Sequence, residues 1–275
     1  VFTLLCIFPF YYLFINTISD NTLVSKGLIT FFPKGIHFAN YKKISEIRGL
    51  VNSLMISVAR TVLGTFLTLF GTTFLGYAFS RKELWHRTWC YRFVIVTMYF
   101  NAGIIPWYIN MKNLGLTNNF LAYIIPGIVS PFSLVLFKTY VESIPPSLEE
   151  SAQLDGAKET TILMRIYIPL SKPILATLAL FIGVGKWNDW FTGAYYQSKA
   201  ALYPAATVLQ KILSEATASS QVKVGQETAL GSMTSYTSQS LQMAFVMILT
   251  MPIVIIYPFL QKYYVKGVMV GSVKG

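Results

Sequence analysis

Hydrophobic positions in this chain do not alternate with polar ones at the period of a half-buried strand or an amphipathic helix. They run on in six blocks, 1–18, 51–79, 91–109, 120–140, 174–195 and 241–264, separated by more polar stretches, of which 80–90 and 110–119 are short. About 20 mostly apolar residues in a helix cover the roughly 30 Å of a bilayer's hydrocarbon, and helices pair all their backbone groups internally. The pattern predicts an all-α membrane protein with six transmembrane helices and five loops, a single transmembrane domain over 1–275. The first block opens inside an apolar run with neither Met nor a basic flank. Residues upstream are therefore expected, rather than a cleaved signal peptide.

Composition strengthens this picture. With 54% hydrophobic and 12% charged residues and a mean hydropathy of +0.53, the chain carries more apolar surface than one soluble core would bury. Its net charge of +11 raises nucleic acid as a partner, but the basic residues lie in short flanks between spans, where membrane topology accounts for them. No nucleic-acid partner is expected. Arg81, Lys82, Arg87 and Arg92 surround the loop 82–90, whereas the loop 110–119 holds only Lys112. The first loop should be cytoplasmic. By alternation the segment 142–172 and the tail 265–275 also face the cytoplasm, and the loops 19–50 and 196–240 face outward.

Catalytic chemistry is not expected. Cys6 and Cys90 have no metal-ligand spacing with His37 or His86. The run "GVGKW" has Trp187 where a phosphate-binding loop needs Ser or Thr, and Leu180 where it needs its first Gly. The chain should hold no metal and no cofactor and should be no enzyme.

Small residues recur through the second span as Ser57, Thr61, Gly64, Thr65, Thr68, Gly71, Thr72 and Gly76, a stripe that lets another helix approach closely. It serves either static packing or a sliding contact. Pro106, Pro126 and Pro131 are expected to kink the third and fourth spans. The loop 196–240 is rich in Ser, Thr, Gln and Gly, which fits a disordered linker or an ordered lid.

Between the fourth and fifth spans stands a polar island, "PPSLEESAQLDGAKETTILMRIYIPL", 145–170. Ser147 and Glu150 have the spacing of a capping box, so a helix should start at Leu148. Gly156 is placed to end it in a left-handed cap, and a second helix from Glu159 should stop at Pro169. Acidic Glu149, Glu150 and Asp155 disfavour a resting place on an anionic leaflet. A helix-in-groove contact with a soluble protein suits the island better.

The island also carries a resemblance. Glu150-Ser151-Ala152, Gly156 after three residues, and Ile166-x-Ile168-Pro169 after nine more resemble the E-A-A-x3-G-x9-I-x-L-P motif of ABC importer permeases. Ser151 and Ile168 depart from it by small changes. "NSL" at 52–54, "GYAFSR" at 76–81, "WND" at 187–189 and the ending "VKGVMVGSVKG" are similar to the carbohydrate branch, the maltose-type second permease. "MYFNAGIIPWY", 98–108, resembles the branch serving complex and acidic polysaccharides, including the permease pair of the bacterial alginate importer. The resemblance implies a multi-pass subunit of the bacterial cytoplasmic membrane. Its implied partners are a homologous permease, two cytoplasmic ATPases that carry ATP and Mg, and an extracytoplasmic solute-binding protein that delivers a saccharide. It further implies that Glu149, Glu150, Ser151, Ala152, Leu154, Asp155, Gly156, Ala157, Ile166 and Pro169 form the cytoplasmic helix-turn-helix that couples to the ATPases.

For the substrate path the residues point to "KWNDWF". A Lys and an Asp so deep in an apolar span are costly and should face the bundle interior, a partner or water. Trp187 and Trp190 offer flat faces to sugar rings, Asn188 and Asp189 offer hydrogen bonds, and Lys186 offers charge to a carboxylate. The competing reading is an interfacial aromatic belt with Lys186 snorkelling outward. Asn101, Trp107, Tyr108 and Asn110 form a second set, for which the belt reading is stronger. Arg60 ranks below Lys186. A self-sufficient secondary transporter is the alternative from another class, but no internal repeat supports it.

Overall fold

A computed structural model of the chain describes residues 2–47, 49–222 and 239–271. Among them all regular structure is helical: α1 (Phe2–Thr17), α2 (Asn21–Ser25), α3 (Ala39–Ser45), α4 (Leu50–Ser80), α5 (Arg87–Thr97), α6 (Ile104–Asn113), α7 (Pro131–Glu142), α8 (Ser147–Leu154), α9 (Glu159–Ile162), α10 (Ile168–Leu170), α11 (Lys172–Asn188), α12 (Phe191–Tyr196), α13 (Ala205–Val222) and α14 (Gln239–Gly271). The chain ending, 272–275, and part of the loop 196–240, namely 223–238, lie outside the described residues. Within that loop α13 forms a regular helix.

Two helices, Leu50–Ser80 and Gln239–Pro258, are long and apolar enough to cross a bilayer alone. Two more spans arise if each bent pair counts as one: Phe120–Gly127 with Pro131–Glu142, bent by 42°, and Glu159–Leu170 with Lys172–Asn188, bent by 77°. The predicted first span corresponds to the 16-residue α1, and the third is divided into α5 and α6.

Three local expectations need correcting. Pro106 does not kink the third span, because it lies in the first turn of α6, where backbone N–H groups have no intrahelical acceptor to lose. The break comes earlier, at 98–103, where Gly103 adopts φ +82°. Ser147 does not cap α8, since Pro146 occupies that position and no side chain caps the helix. The Ser147 carbonyl instead accepts the Ser151 hydroxyl at 2.9 Å. The second island helix ends at Leu170, one residue past the expected Pro169. It widens into a π-turn at Leu163–Tyr167 and continues through α10, so the proline's missing donor falls where the ladder is already irregular.

The chain divides into two compact units. The first comprises 1–57 and 189–255. Here Ile15, Val24 and Ile29 form a small core, and buried Asn40 donates to the Thr17 carbonyl at 2.9 Å and to Asn21 Oδ1 at 3.0 Å. The Ser57 hydroxyl accepts the first backbone N–H of α13, from Ala205, at 2.9 Å. The second unit comprises 58–188 and 256–275. Its core is Tyr77, Phe137, Val141, Ile162, Leu163, Tyr167 and Leu178, so α4, α7, α11 and the polar island share one apolar centre. Two glycines of the α4 stripe stand close to neighbours in this unit. A Cβ on Gly71 would lie 2.7 Å from the Ile128 carbonyl oxygen, and one on Gly76 2.7 Å from Phe137.

Candidate functional site

Both candidate regions that carry charge lie largely in the second unit, and the polar island is the better defined. Helix α8 ends in a Schellman motif: Gly156, at φ +76°, donates to the Gln153 carbonyl at 3.0 Å, and Ala157 donates to the Ala152 carbonyl at 2.9 Å. Ala152, Ala157 and Ile166 pack against the core. The opposite side of the element is open, with Glu150, Ser151, Asp155, Gly156 and Pro169 exposed and Leu154 at 90% exposure. It is the barest large hydrophobic side chain among the described residues.

The inward side is closed by Arg81, Tyr77, Tyr167 and Glu159, none of which stood among the expected coupling residues, and by Glu149, which did. Arg81, one residue past α4, pairs with Glu149 and, at 3.0 Å, with Glu159. Tyr77 donates its hydroxyl to Glu159 at 2.6 Å, Tyr167 donates to Glu149 at 2.6 Å, and the two tyrosine rings lie 5.2 Å apart. The signal was legible as Tyr77 and Arg81, four residues apart on one helix face. Burial disfavours the Glu149 carboxylate, but the hydrogen bonds from Arg81 and Tyr167 outweigh it and hold the group below its ordinary value of 4.5. Beside this clasp is a cavity of 490 Å³ whose lining includes Arg81, Lys82, Arg87, Glu142, Glu149 and Glu150.

The second region is a pair of cations, Arg60 buried and Lys186 partly buried. Arg60 is 1% exposed, donates to the Trp187 carbonyl at 3.1 Å, and stands 5.2 Å from the centre of the buried Tyr123 ring. Lys186 donates to the Tyr123 carbonyl at 3.3 Å. Glycines make room for it: a Cβ on either Gly64 or Gly127 would come within 2.9 Å of its ammonium nitrogen. Thr68 bonds the Gly127 carbonyl at 2.5 Å, tying α4 to the 3₁₀ turns Phe120–Tyr123 and Ile125–Gly127. Trp187, at 8% exposure, is no belt residue. Arg60, ranked below Lys186 from sequence, is the more deeply buried of the two.

The motif "KWNDWF" spans the end of a helix and the boundary between the two units. Helix α11 ends at Asn188, which is exposed, while Asp189 and Trp190 belong to the first unit. There Asp189 accepts the Thr192 backbone N–H at 3.1 Å, and the 37%-exposed Trp190 packs beside Phe191 and Tyr195. Asn101, Trp107 and Tyr108 are exposed, and Asn101 accepts the Gly103 backbone N–H at 2.9 Å.

Residues 72–270 match the family of binding-protein-dependent transport system inner membrane components. The chain belongs to this family. The permease is 35% identical to Protein LplC of Bacillus subtilis (strain 168) over 271 residues, 98% of this chain and 90% of the relative. It is 34% identical over 276 residues to the polygalacturonan/rhamnogalacturonan transport system permease protein YtcP of the same organism, covering 100% of this chain and 95% of that protein. In three dimensions it matches, with a TM-score of 0.84 and 29% identity, a chain from the crystal structure of a bacterial ABC transporter involved in the import of the acidic polysaccharide alginate. The match covers 96% of this chain and 92% of the other. The chain is an inner-membrane permease subunit of an ABC importer and not itself an enzyme. The secondary-transporter alternative is not favoured.

Proposed function

We propose that this permease takes up oligo- or polysaccharides bearing carboxylates. In this reading six spans cross the bacterial cytoplasmic membrane beside a homologous permease, in an alternating-access cycle. An extracytoplasmic binding protein delivers the saccharide, and two cytoplasmic ATPases, holding ATP and Mg, dock on the helix-turn-helix of 142–172.

The observation that carries the substrate class is the cation pair, with Arg60 buried and Lys186 partly buried. Charge is expensive at bilayer depth and is retained where it meets a pathway or a partner, and here Arg60 and Lys186 converge on Tyr123. A cavity bordered by such a pair would favour carboxylates through its field. Relatives support the reading, since polygalacturonan and alginate, named for two of them, are both acidic polymers. The docking reading is supported by the open face of α8 with Leu154 outermost.

The test is ATPase activity in proteoliposomes holding the permease, its partner permease and their ATPases, with binding protein loaded with uronate or neutral oligosaccharides. Stimulation by uronates is expected. Stimulation by neutral sugars alone would overturn the acidic-substrate assignment while leaving the importer intact.

A further inference from the structure

Two adjacent glutamates on α8 face opposite ways. Glu150 is exposed, but the Glu149 side chain retains only 14% exposure and meets an Arg81 that retains 16%. From Arg81 the side chains close a ring: Arg81 to Glu149, Glu149 to the Tyr167 hydroxyl, the Tyr167 ring to the Tyr77 ring, the Tyr77 hydroxyl to Glu159, and Glu159 back to Arg81. The ring joins the end of α4, helix α8, the start of α9 and the π-turn.

The apolar hold on α8 is slight by comparison, because Ala152 is its one residue packed against the core cluster, with Ala157 just beyond its end. Two methyl groups resist sliding weakly. A planar guanidinium held between Glu149 and Glu159, with the exposed Glu83 3.7 Å from its Nε, fixes direction as well as distance. We propose that Arg81 is the positioning residue of energy coupling: its fork onto Glu149 and Glu159 makes α8 and the end of α4 move as one body, so that a displacement imposed on α8 reaches the spans. The proposal rests on the reading of 142–172 as the ATPase-docking element.

The division of labour follows from the geometry. Glu150, Leu154 and Asp155 are the outward surface, while Glu149, Arg81, Glu159, Tyr77 and Tyr167 are the link behind it. A lysine at position 81 would keep a charge but offer a single point where the fork now serves two carboxylates. Arg81→Lys should therefore fall between wild type and Arg81→Ala.

The experiment uses the complete importer in proteoliposomes, with binding protein loaded with an oligogalacturonate or alginate oligosaccharide that wild type imports. Saccharide imported per ATP hydrolysed is measured for wild type, Arg81→Ala, Arg81→Lys, Glu149→Gln and Leu154→Asp. Arg81→Ala should retain basal ATPase activity and lose coupling by about tenfold, within the usual range for coupling between sites. Arg81→Lys and Glu149→Gln should be intermediate, and they carry the test if Arg81→Ala does not assemble. Wild-type saccharide per ATP in all the Arg81 and Glu149 variants, even with lowered melting temperature, would overturn the proposal and leave Arg81 a stabilising residue only. If Leu154→Asp alone uncouples, the docking reading survives that failure. If Leu154→Asp is also silent, the docking reading falls with it.

Discussion

Gly71→Ala is a sharp test of how α4 is packed. The new Cβ would sit 2.7 Å from the Ile128 carbonyl oxygen and 3.3 Å from Ile128 Cγ2. Carbon–oxygen contacts become comfortable near 3.3 Å, so α4 or the 3₁₀ turn must retreat by about 0.6 Å. The obstacle is backbone, which cannot rotate aside as a side chain does. Overpacking of this kind costs ~1–3 kcal/mol, against a gain of ~1 kcal/mol for replacing an interior helical glycine by alanine. Gly183→Ala on α11 is the matched control, because its Cβ would meet Thr65 Oγ1 at an ordinary 3.5 Å and should keep the whole helix gain. The two variants should differ by ~1–3 kcal/mol, roughly 5- to 140-fold in folding equilibrium. Denaturant or thermal unfolding of the purified permease complex measures the difference. A Gly71→Ala protein as stable as Gly183→Ala would refute the close approach and, with it, static packing as the purpose of the stripe.

Other outcomes follow from the same contacts. Because the Glu149 carboxyl is held below 4.5 when folded, its contribution is complete above that value and is lost as the pH falls through the folded value. The stability gap between wild type and Glu149→Gln should therefore be constant from pH 7 to about 5 and close in stronger acid; a gap independent of pH in melting curves would contradict this. Lys186→Met should lower uptake of a uronate oligosaccharide by about tenfold, equivalent to ~1.4 kcal/mol, with little effect on a neutral one, and equal losses on both would argue for a packing role. Asn40→Ala should destabilise the permease by ~1–3 kcal/mol by leaving the buried Thr17 carbonyl without this donor, measurable as a lower unfolding midpoint.

The sequence made the class of fold legible because apolar blocks of bilayer length leave few alternatives, and Gly156 was legible because a left-handed cap has a residue signature. Breaks inside spans were less so. Pro106 drew attention from the real interruption at 98–103, since a proline's effect depends on its register within the helix and sequence does not fix that register in advance. Ser147 and Glu150 had the spacing of a capping box, but Pro146 took the cap position and moved the serine into the first turn. The candidate sites divided similarly. Glu149 and Glu150 read alike in one dimension, and only the approach of Arg81 across α4 separates an inward group from an outward one. "KWNDWF" looked like one cluster because it is contiguous, yet the end of α11 at Asn188 divides it. Tyr123, on which both Arg60 and Lys186 converge, gave no signal of its own, being one aromatic residue among many.

Gly156 has a consequence for protein engineering. No heavy atom outside its chain neighbours lies within 4 Å of where its Cβ would be, so the requirement at this position is a torsion angle and not a shape. An L-side chain there is penalised by ~1–2 kcal/mol for the left-handed backbone alone, and asparagine tolerates that conformation better than most. A D-alanine introduced by chemical ligation would match the torsion and still add bulk to the outer surface. Position 156 is thus a place where backbone geometry and surface relief can be varied independently, one through handedness and the other through size.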